Sequence, residues 1–410
     1  MFSYKDYPFD TKHSAFEVGG EAMIFHCNHY LCYLQRSILD ADYIDSRPFL
    51  IGAAADSVYN QLLNLGKGKQ TDEIKKLAEE IYKASGYGLI NLDNIGENGG
   101  EVRTTSSFYS KSWLMKFGQT KQPVDYFTSG FIAAAFAVAY GLSLGDVVAA
   151  QIACMAIGDA ENIHTVTKGK SNFTLYHPKK STQFKEVEVV EIPWEHSTKV
   201  TEAFIGAHYM FVGNDDGLIP AFGVYVTRNY SDHVNRLQFE FISEMRKVAG
   251  SYGAKLGTEL MLEAGHACGF FTYGGIMTSV EWNTAVKPYL KTKEDWIYGL
   301  LSLINTMGWG YHTALEVSPE RSVFRNYNDF EDMSYLRMHD TQAEEPISWA
   351  NSGGFTGLCH LIYKTGITDG KPVDTEEGFR QMRRSIQGYK TNLLKGIANG
   401  NDYLEVEISL

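Results

Sequence analysis

Ser85-Gly86-Tyr87-Gly88 and Met307-Gly308-Trp309-Gly310 are the two stretches that decide how this chain is read. Each places an aromatic residue between two glycines at the end of an amphipathic run. The first run is Asp72–Tyr82, where Ile74, Leu77, Ile81 and Tyr82 share one helical face. The second is Asp295–Ile304. Glycine after such a run stops a helix and allows the reversal into a strand. The downstream segments also repeat in order. Val102–Phe108 is matched by Val323–Phe330, Pro123–Phe127 by Pro346–Trp349, and a glycine-bounded helix from Ser129 to Gly141 by one from Ser352 to Gly366. Gly19–Ile24 is matched upstream by Gly257–Leu262. Landmarks recurring in one order at nearly constant offset predict one fold used twice.

The expected class is α+β: two copies of a helical layer packed on an antiparallel sheet, with a β-rich insert between them. The boundaries are 1–169, 170–232 and 233–410. An opening helix is expected over about 17–39, with its counterpart over about 234–280. Within the insert, Phe184–Ile192 alternates with period two and predicts a half-buried strand. Phe222–Val226 predicts a second. The stretch from Thr375, with Glu376, Glu377, Arg380, Arg383 and Arg384, reads as a solvated helix. Tyr403–Ile408 reads as a closing strand.

Composition narrows the function. The 410 residues are 44% hydrophobic and 21% charged, enough for a sizeable core, and carry a formal charge of −12. Without clustered Lys and Arg the chain lacks what nucleic-acid binding needs, so none is expected. Five cysteines, an odd number, read as free thiols in a reducing, cytoplasmic setting. The start, Met1–Asp6, shows no apolar signal region. Ser129–Gly145 is apolar for about the minimum spanning length, yet Asp125 and Asp146 bracket it, so a buried helix and no membrane span is expected.

Gly-aromatic-Gly, the segment ending near Phe108, Tyr126–Phe131 with its Ala-rich helix, and Gln151–Cys154 together resemble the 4-vinyl reductase domain, a hydrocarbon-binding module. That family is also the phenol-sensing input domain of bacterial activators, and is similar in fold to TRAPP subunits. The resemblance implies helices on an antiparallel sheet enclosing an apolar pocket, with Tyr126, Phe127, Trp349 and Asn351 near it. The family's zinc positions fall on Asp125, Gln151, Cys154 and Asn162, of which only Cys154 is a family ligand. Effector function is not implied, because no P-loop or helix-turn-helix is present.

The densest polar cluster is Glu21, His26, Cys27, His29, Tyr30, Cys32 and Tyr33. On one helix, His26, His29, Tyr30 and Tyr33 would share a stripe. Two histidines at i and i+3 can meet one metal ion, so His26, His29 and Cys27 are candidate ligands for iron or zinc. Lining a pocket without metal, or plain packing, are the alternatives. Glu263, His266 and Cys268 occupy the expected second copy, and a twofold arrangement would bring His26, His29, His266 and Glu263 together as catalytic candidates. The glycines Gly265, Gly269, Gly274 and Gly275 leave room either for a flat ligand or for a neighbouring helix. Two functions remain: a carrier, sensor or accessory protein binding an apolar or aromatic small molecule, with Tyr30 and Tyr33 lining the pocket; or a metal-dependent enzyme acting on such a molecule. A homodimer is the other expected partner.

Overall fold

The computed structural model describes residues 2–176, 181–371, 373, 377–380 and 388–410. The chain opens with β1 (Phe9–Asp10), β2 (Ala15–Val18) and β3 (Glu21–Cys27), then α1 (Asn28–Asp40), α2 (Arg47–Leu65) and α3 (Thr71–Ala84). β4 (Gly99–Thr104), α4 (Phe108–Phe117), α5 (Tyr126–Ala139), β5 (Val147–Ala153) and β6 (Asn162–Lys168) come after. A connecting stretch carries α6 (Ser197–His208), β7 (Ile219–Ala221) and β8 (Val224–Tyr230). Next come α7 (Ser231–Cys268), a wide helical turn over Gly269–Tyr273, α8 (Gly274–Thr278), α9 (Val280–Ala285) and α10 (Lys293–Ile304). β9 (Tyr311–Val317), β10 (Arg321–Tyr327), α11 (Phe330–Met338), α12 (Trp349–Lys364), β11 (Lys390–Lys395) and β12 (Leu404–Ser409) complete the chain.

The class is α+β, with antiparallel sheets packed against helices. One sheet runs β1-β2-β3-β8-β7, another β4-β6-β5, and the third β11-β12-β10-β9. The amphipathic runs are helices, each opened by a capping box: Gln70 with Glu73 on α3, Thr292 with Asp295 on α10. Both Gly-aromatic-Gly turns are left-handed, with φ of +89° and +118° at Gly86 and Gly88 and +85° and +88° at Gly308 and Gly310. A Cβ on Gly308 would lie 2.5 Å from the Met23 carbonyl, so the turn demands glycine twice over.

These turns dock on the paired strands β3 and β8. The Phe25 N–H donates to the Met307 carbonyl at 3.0 Å, and the Arg228 N–H to the Ser85 carbonyl at 2.9 Å. Trp309 Nε1 donates to the Phe25 carbonyl and the Tyr87 hydroxyl to the Arg228 carbonyl, each at 2.9 Å. Phe25 and Arg228 face each other across the β3–β8 ladder. Each turn therefore holds a strand that comes from the far end of the chain.

Several expectations need correction. The opening helix over 17–39 is half strand. Gly19 and Gly20 turn at positive φ, Glu21–Cys27 is β3, and the helix starts only at Asn28, capped by the Cys27 thiol. The cluster read as a helical stripe therefore spans a strand–helix junction. The match of 19–24 with 257–262 fails with it, because the latter lies inside α7. Phe184–Ile192 is not a strand. Its extended backbone lies beside β9 and β10, tied by side chains: Val190 N–H donates to Tyr327 Oη at 3.1 Å and Ile192 N–H to Tyr311 Oη at 3.3 Å. Pro123–Phe127 and Pro346–Trp349 lead into α5 and α12 and form no strand; Asp125 caps α5 through the Thr128 N–H. Tyr403–Ile408 falls on β12. Of the C-terminal helix, residues 377–380 are helical, while Thr375, Glu376, Arg383 and Arg384 lie outside the described residues. No helix among the described residues is long and apolar enough to cross a membrane.

The glycines of α7 serve helix approach. A Cβ on Gly265 would stand 2.1 Å from the Ala350 carbonyl, and one on Gly353 2.1 Å from the Leu262 carbonyl, so α7 and α12 touch backbone to backbone. Gly353→Ala must push the helices apart and should cost about 1–3 kcal/mol. Gly274→Ala meets only Leu361 Cδ2 at 3.5 Å and should be neutral or stabilising by roughly 0.5–1 kcal/mol. Paired thermal melts check this, and equal melting temperatures for the two variants would refute the close contact.

Candidate functional site

Where β3 ends and α1 begins, His26 projects into the interface with the second half of the chain. Its ring lies between two others, stacked on Tyr30 at 4.3 Å and on Trp309 at 5.4 Å, with the Phe330 ring 5.7 Å away. Both imidazole nitrogens are buried without a hydrogen-bond partner, and so is the Tyr30 hydroxyl. Burial pushes His26 down to about 3, so the ring is neutral at physiological pH. The Tyr30 hydroxyl is held well above its ordinary range, by burial first and then by Glu331, Cys268 and Cys27. These are polar atoms in an apolar setting. Leaving each unpaired costs about 1–3 kcal/mol.

They border two small cavities. One is lined by His26, Tyr30, Cys268, Tyr273, Trp309, Phe330 and Asn351 among others. The other is lined by Phe25, His26, Cys27, Phe222, Cys268, Thr272 and Trp309 among others. Each has a volume of about 20 Å³, room for a water or two. His26, Cys268 and Trp309 belong to both linings and form the partition between them.

Cys27 faces the second cavity. Its Sγ accepts the Tyr30 N–H at 3.3 Å and lies 2.6 Å from Thr272 Oγ1 and 3.6 Å from Cys268 Sγ. Burial pushes the thiol up, but hydrogen bonds from Cys268, Thr272 and the backbone outweigh it and bring Cys27 to about 7. Cys268 is correspondingly driven well up by its bond to Cys27 and by burial.

The other candidates are dispersed. His29 points away: its Nδ1 lies 2.8 Å from Lys116 Nζ, its ring stacks on Phe271, and burial with Lys116 takes it to about 3. Tyr33 packs among Phe117, Phe271 and Phe379. His266 bonds His360 at 2.8 Å and lies 3.6 Å from Glu263. The catalytic quartet His26, His29, His266 and Glu263 is thus split among three environments. The metal set His26, His29 and Cys27 is likewise divided, and among the described residues no three His, Cys, Asp or Glu could hold a metal ion. Asp125, Gln151, Cys154 and Asn162 do converge, knit by hydrogen bonds: Asp125 N–H donates to Gln151 Oε1, Asn162 Nδ2 to Asp125 Oδ2, and Ser110 Oγ bridges Asn162 and Cys154. Tyr126 and Phe127 line a third, narrower space with Tyr109 and His233. Trp349 packs outside, edge-on to Phe239. Asn351 reaches the first cavity while donating to Asp329 at 2.6 Å.

Sequence reasoning missed Trp309 and Phe330 as site residues, and it missed three buried carboxyls beneath them. Asp329 accepts from Asn326, Asn351, Ser348 and two backbone N–H groups. Glu331 accepts the N–H groups of Ala350 and Asn351 at the start of α12, and Asp332 those of Ile397 and Ala398. Burial raises all three, Asp332 to about 7. The spacing Asp329-x-Glu331-Asp332 at a helix start was the available signal.

No family model and no curated protein matches this sequence. Among solved structures it is similar to the phenol-responsive sensory domain of the transcription activator PoxR with phenol. The likeness has 14% identity and a TM-score of 0.33, covering 40% of this chain and 85% of that one.

Because His26 titrates far below its ordinary 6.5, the unfolded chain takes up its proton first. Its stabilising neutrality is complete above pH 6.5 and lost as pH falls toward 3. At pH 5 the loss is about 2 kcal/mol. His26→Phe keeps the ring and removes the titration. Its melting temperature should gain on wild type between pH 7.5 and pH 5, and a pH-independent difference would disprove the buried neutral imidazole.

Proposed function

We propose that this chain binds a small, ring-sized apolar or aromatic molecule carrying one hydrogen-bonding group, at the aromatic site around His26. The observation that supports this most directly is the trio of unpartnered atoms, both His26 nitrogens and the Tyr30 hydroxyl, set against Trp309 and Phe330. A site of this make-up gains most from a guest that is flat, stacks on indole and phenyl faces, and supplies one hydroxyl or carbonyl. A neutral imidazole both donates and accepts, and a phenol side chain does the same. The cavities on either side of His26 are sized for waters, so admission of a ring requires His26 to leave its place between Tyr30 and Trp309. The imidazole then acts as an occupant that the ligand displaces and hydrogen-bonds.

The same reading takes the chain as one fold used twice. Its support is the reciprocal docking of Met307 on Phe25 and Ser85 on Arg228, with Trp309 and Tyr87 in equivalent bonds. The site around His26 is then built by the strand of one copy and the turn of the other. The narrower space at Tyr109, Tyr126, Phe127 and His233 is its counterpart.

Binding can be read by thermal shift and tryptophan fluorescence with phenol, 1-naphthol and toluene as probes. The two hydroxylated rings should bind more tightly than toluene. Tyr30→Phe and His26→Phe should weaken them about tenfold, one hydrogen bond's worth, and leave toluene unchanged. Equal loss for toluene, or no response to any of the three, would overturn the proposal.

A further inference from the structure

Five cysteines are buried in this chain, and two of them meet. Cys27 ends β3 and Cys268 ends α7, 241 residues apart in sequence, yet their sulfurs lie 3.6 Å apart. Both border the apolar cavity that also contains Thr272, Phe222 and Trp309. The Thr272 hydroxyl lies beside them, 2.6 Å from Cys27 Sγ and 3.6 Å from Cys268 Sγ. Cys27 caps α1, where the Tyr30 N–H and the positive end of the helix favour a thiolate. Cys32 and Cys359 have no such setting, and burial drives both thiols up to about 12.

We propose that Cys27 and Cys268 are a reactive thiol pair that hydrogen peroxide, entering the apolar cavity, oxidises to a disulfide joining the two halves of the chain. The Cys27 thiolate attacks one peroxide oxygen. The O–O bond breaks, hydroxide leaves and takes up a proton as water, and Cys27 becomes a sulfenic acid. The Cys268 sulfur then attacks Cys27 Sγ, the S–OH bond breaks, and a second water departs with the Cys268 proton. One peroxide and two thiols give one disulfide and two waters, and an external dithiol reverses the change. Thr272 is a positioning residue that holds both sulfurs.

Peroxide is favoured over other oxidants by size and charge. The cavity takes a water or two, which suits an uncharged molecule of two oxygens and excludes a peptide disulfide such as oxidised glutathione. The pair is also a short move from bonding. Forming the disulfide brings two sulfurs now 3.6 Å apart, one at the end of a strand and one at the end of a helix, about 1.5 Å closer. Cys268 borders the His26 cavity too, so oxidation alters that wall, but the thiol chemistry stands whether or not a ring binds there.

The native protein is treated with a small excess of hydrogen peroxide, alkylated under denaturing conditions and digested for mass spectrometry. The expected product is a Cys27–Cys268 linked peptide, reversed by dithiothreitol, with Cys27 consumed at least about tenfold faster than Cys32 or Cys359. Oxidised glutathione should leave the pair reduced. Cys268→Ser removes the resolving thiol, and Cys27 should then accumulate as sulfinic acid under the same dose. Cys27→Ser should leave Cys268 reduced at the same dose; should that variant fail to fold, the Cys268→Ser result carries the test alone. Oxidation spread evenly over all five cysteines, or a Cys27 that stays reduced while the protein remains folded, would overturn the proposal. Equal oxidation by glutathione disulfide would overturn the cavity as its gate.

Discussion

Everything in this molecule hangs on a short antiparallel pairing, Phe25 opposite Arg228, that is gripped from both sides. Two strands of seven residues in a five-stranded sheet would be an ordinary ladder. Here each strand also takes its partner from a Gly-aromatic-Gly turn contributed by the other half, through one backbone bond and one side-chain bond. Backbone bonds in a dry interior tolerate no alternative partner, since a buried unpaired N–H or C=O costs about as much as the bond itself. The grip consequently fixes where α1 and α7 start. It also fixes where His26, Cys27 and Tyr30 sit relative to Trp309 and Cys268. The site is a by-product of the joint.

Arg228 shows how dry that joint is. Its side chain is 1% exposed, and its guanidinium lies over Tyr4 and Phe25 at 4.4 Å each and over Phe16 at 5.2 Å, with His208 at 2.8 Å. Burial draws it down to about 10, so it remains charged at physiological pH. Ring faces, a neutral imidazole and the His208 carbonyl, which accepts from Nη2, take the role that a carboxylate would take elsewhere. The cation is held by several ring faces together with two hydrogen bonds to His208.

The same physics decides which elements were legible in the sequence. The turns could be read because glycine at positive φ leaves a signature no other residue supplies, and α3 and α10 because period and capping agree. The joint itself was invisible. Glu21–Cys27 is buried along almost its whole length, so it lacks the alternation that marks a half-buried strand, and its continuation into α1 made the whole run look helical. Placing His26 on a helix led directly to the metal reading of His26, His29 and Cys27. Phe184–Ile192 erred in the opposite sense: it alternates because one side lies on β9 and β10, yet its bonds go to tyrosine hydroxyls. Asp329, Glu331 and Asp332 went unread: their spacing marks a helix start, but the backbone N–H groups that receive Glu331 and Asp332 come from residues 350–351 and 397–398.

Those three carboxyls and the His26 pair make opposite use of burial, and the contrast separates scaffold from site. Asp329, Glu331 and Asp332 are each 0% exposed and each accept bonds from backbone N–H groups. They cap α11, open α12 and hold the Ile397–Ala398 turn, which is construction. His26 and Tyr30 are nearly as deep, only a few residues away through Phe330 and Asn351, and no protein group pairs the His26 nitrogens or the Tyr30 hydroxyl. A chain able to saturate Asp329 with five donors had the means to pair an imidazole. Leaving His26 and Tyr30 open beside a cavity costs stability without strengthening any element of the fold. The carboxyls are thus bound into the scaffold, whereas the His26 and Tyr30 polar atoms are left to the cavity beside them.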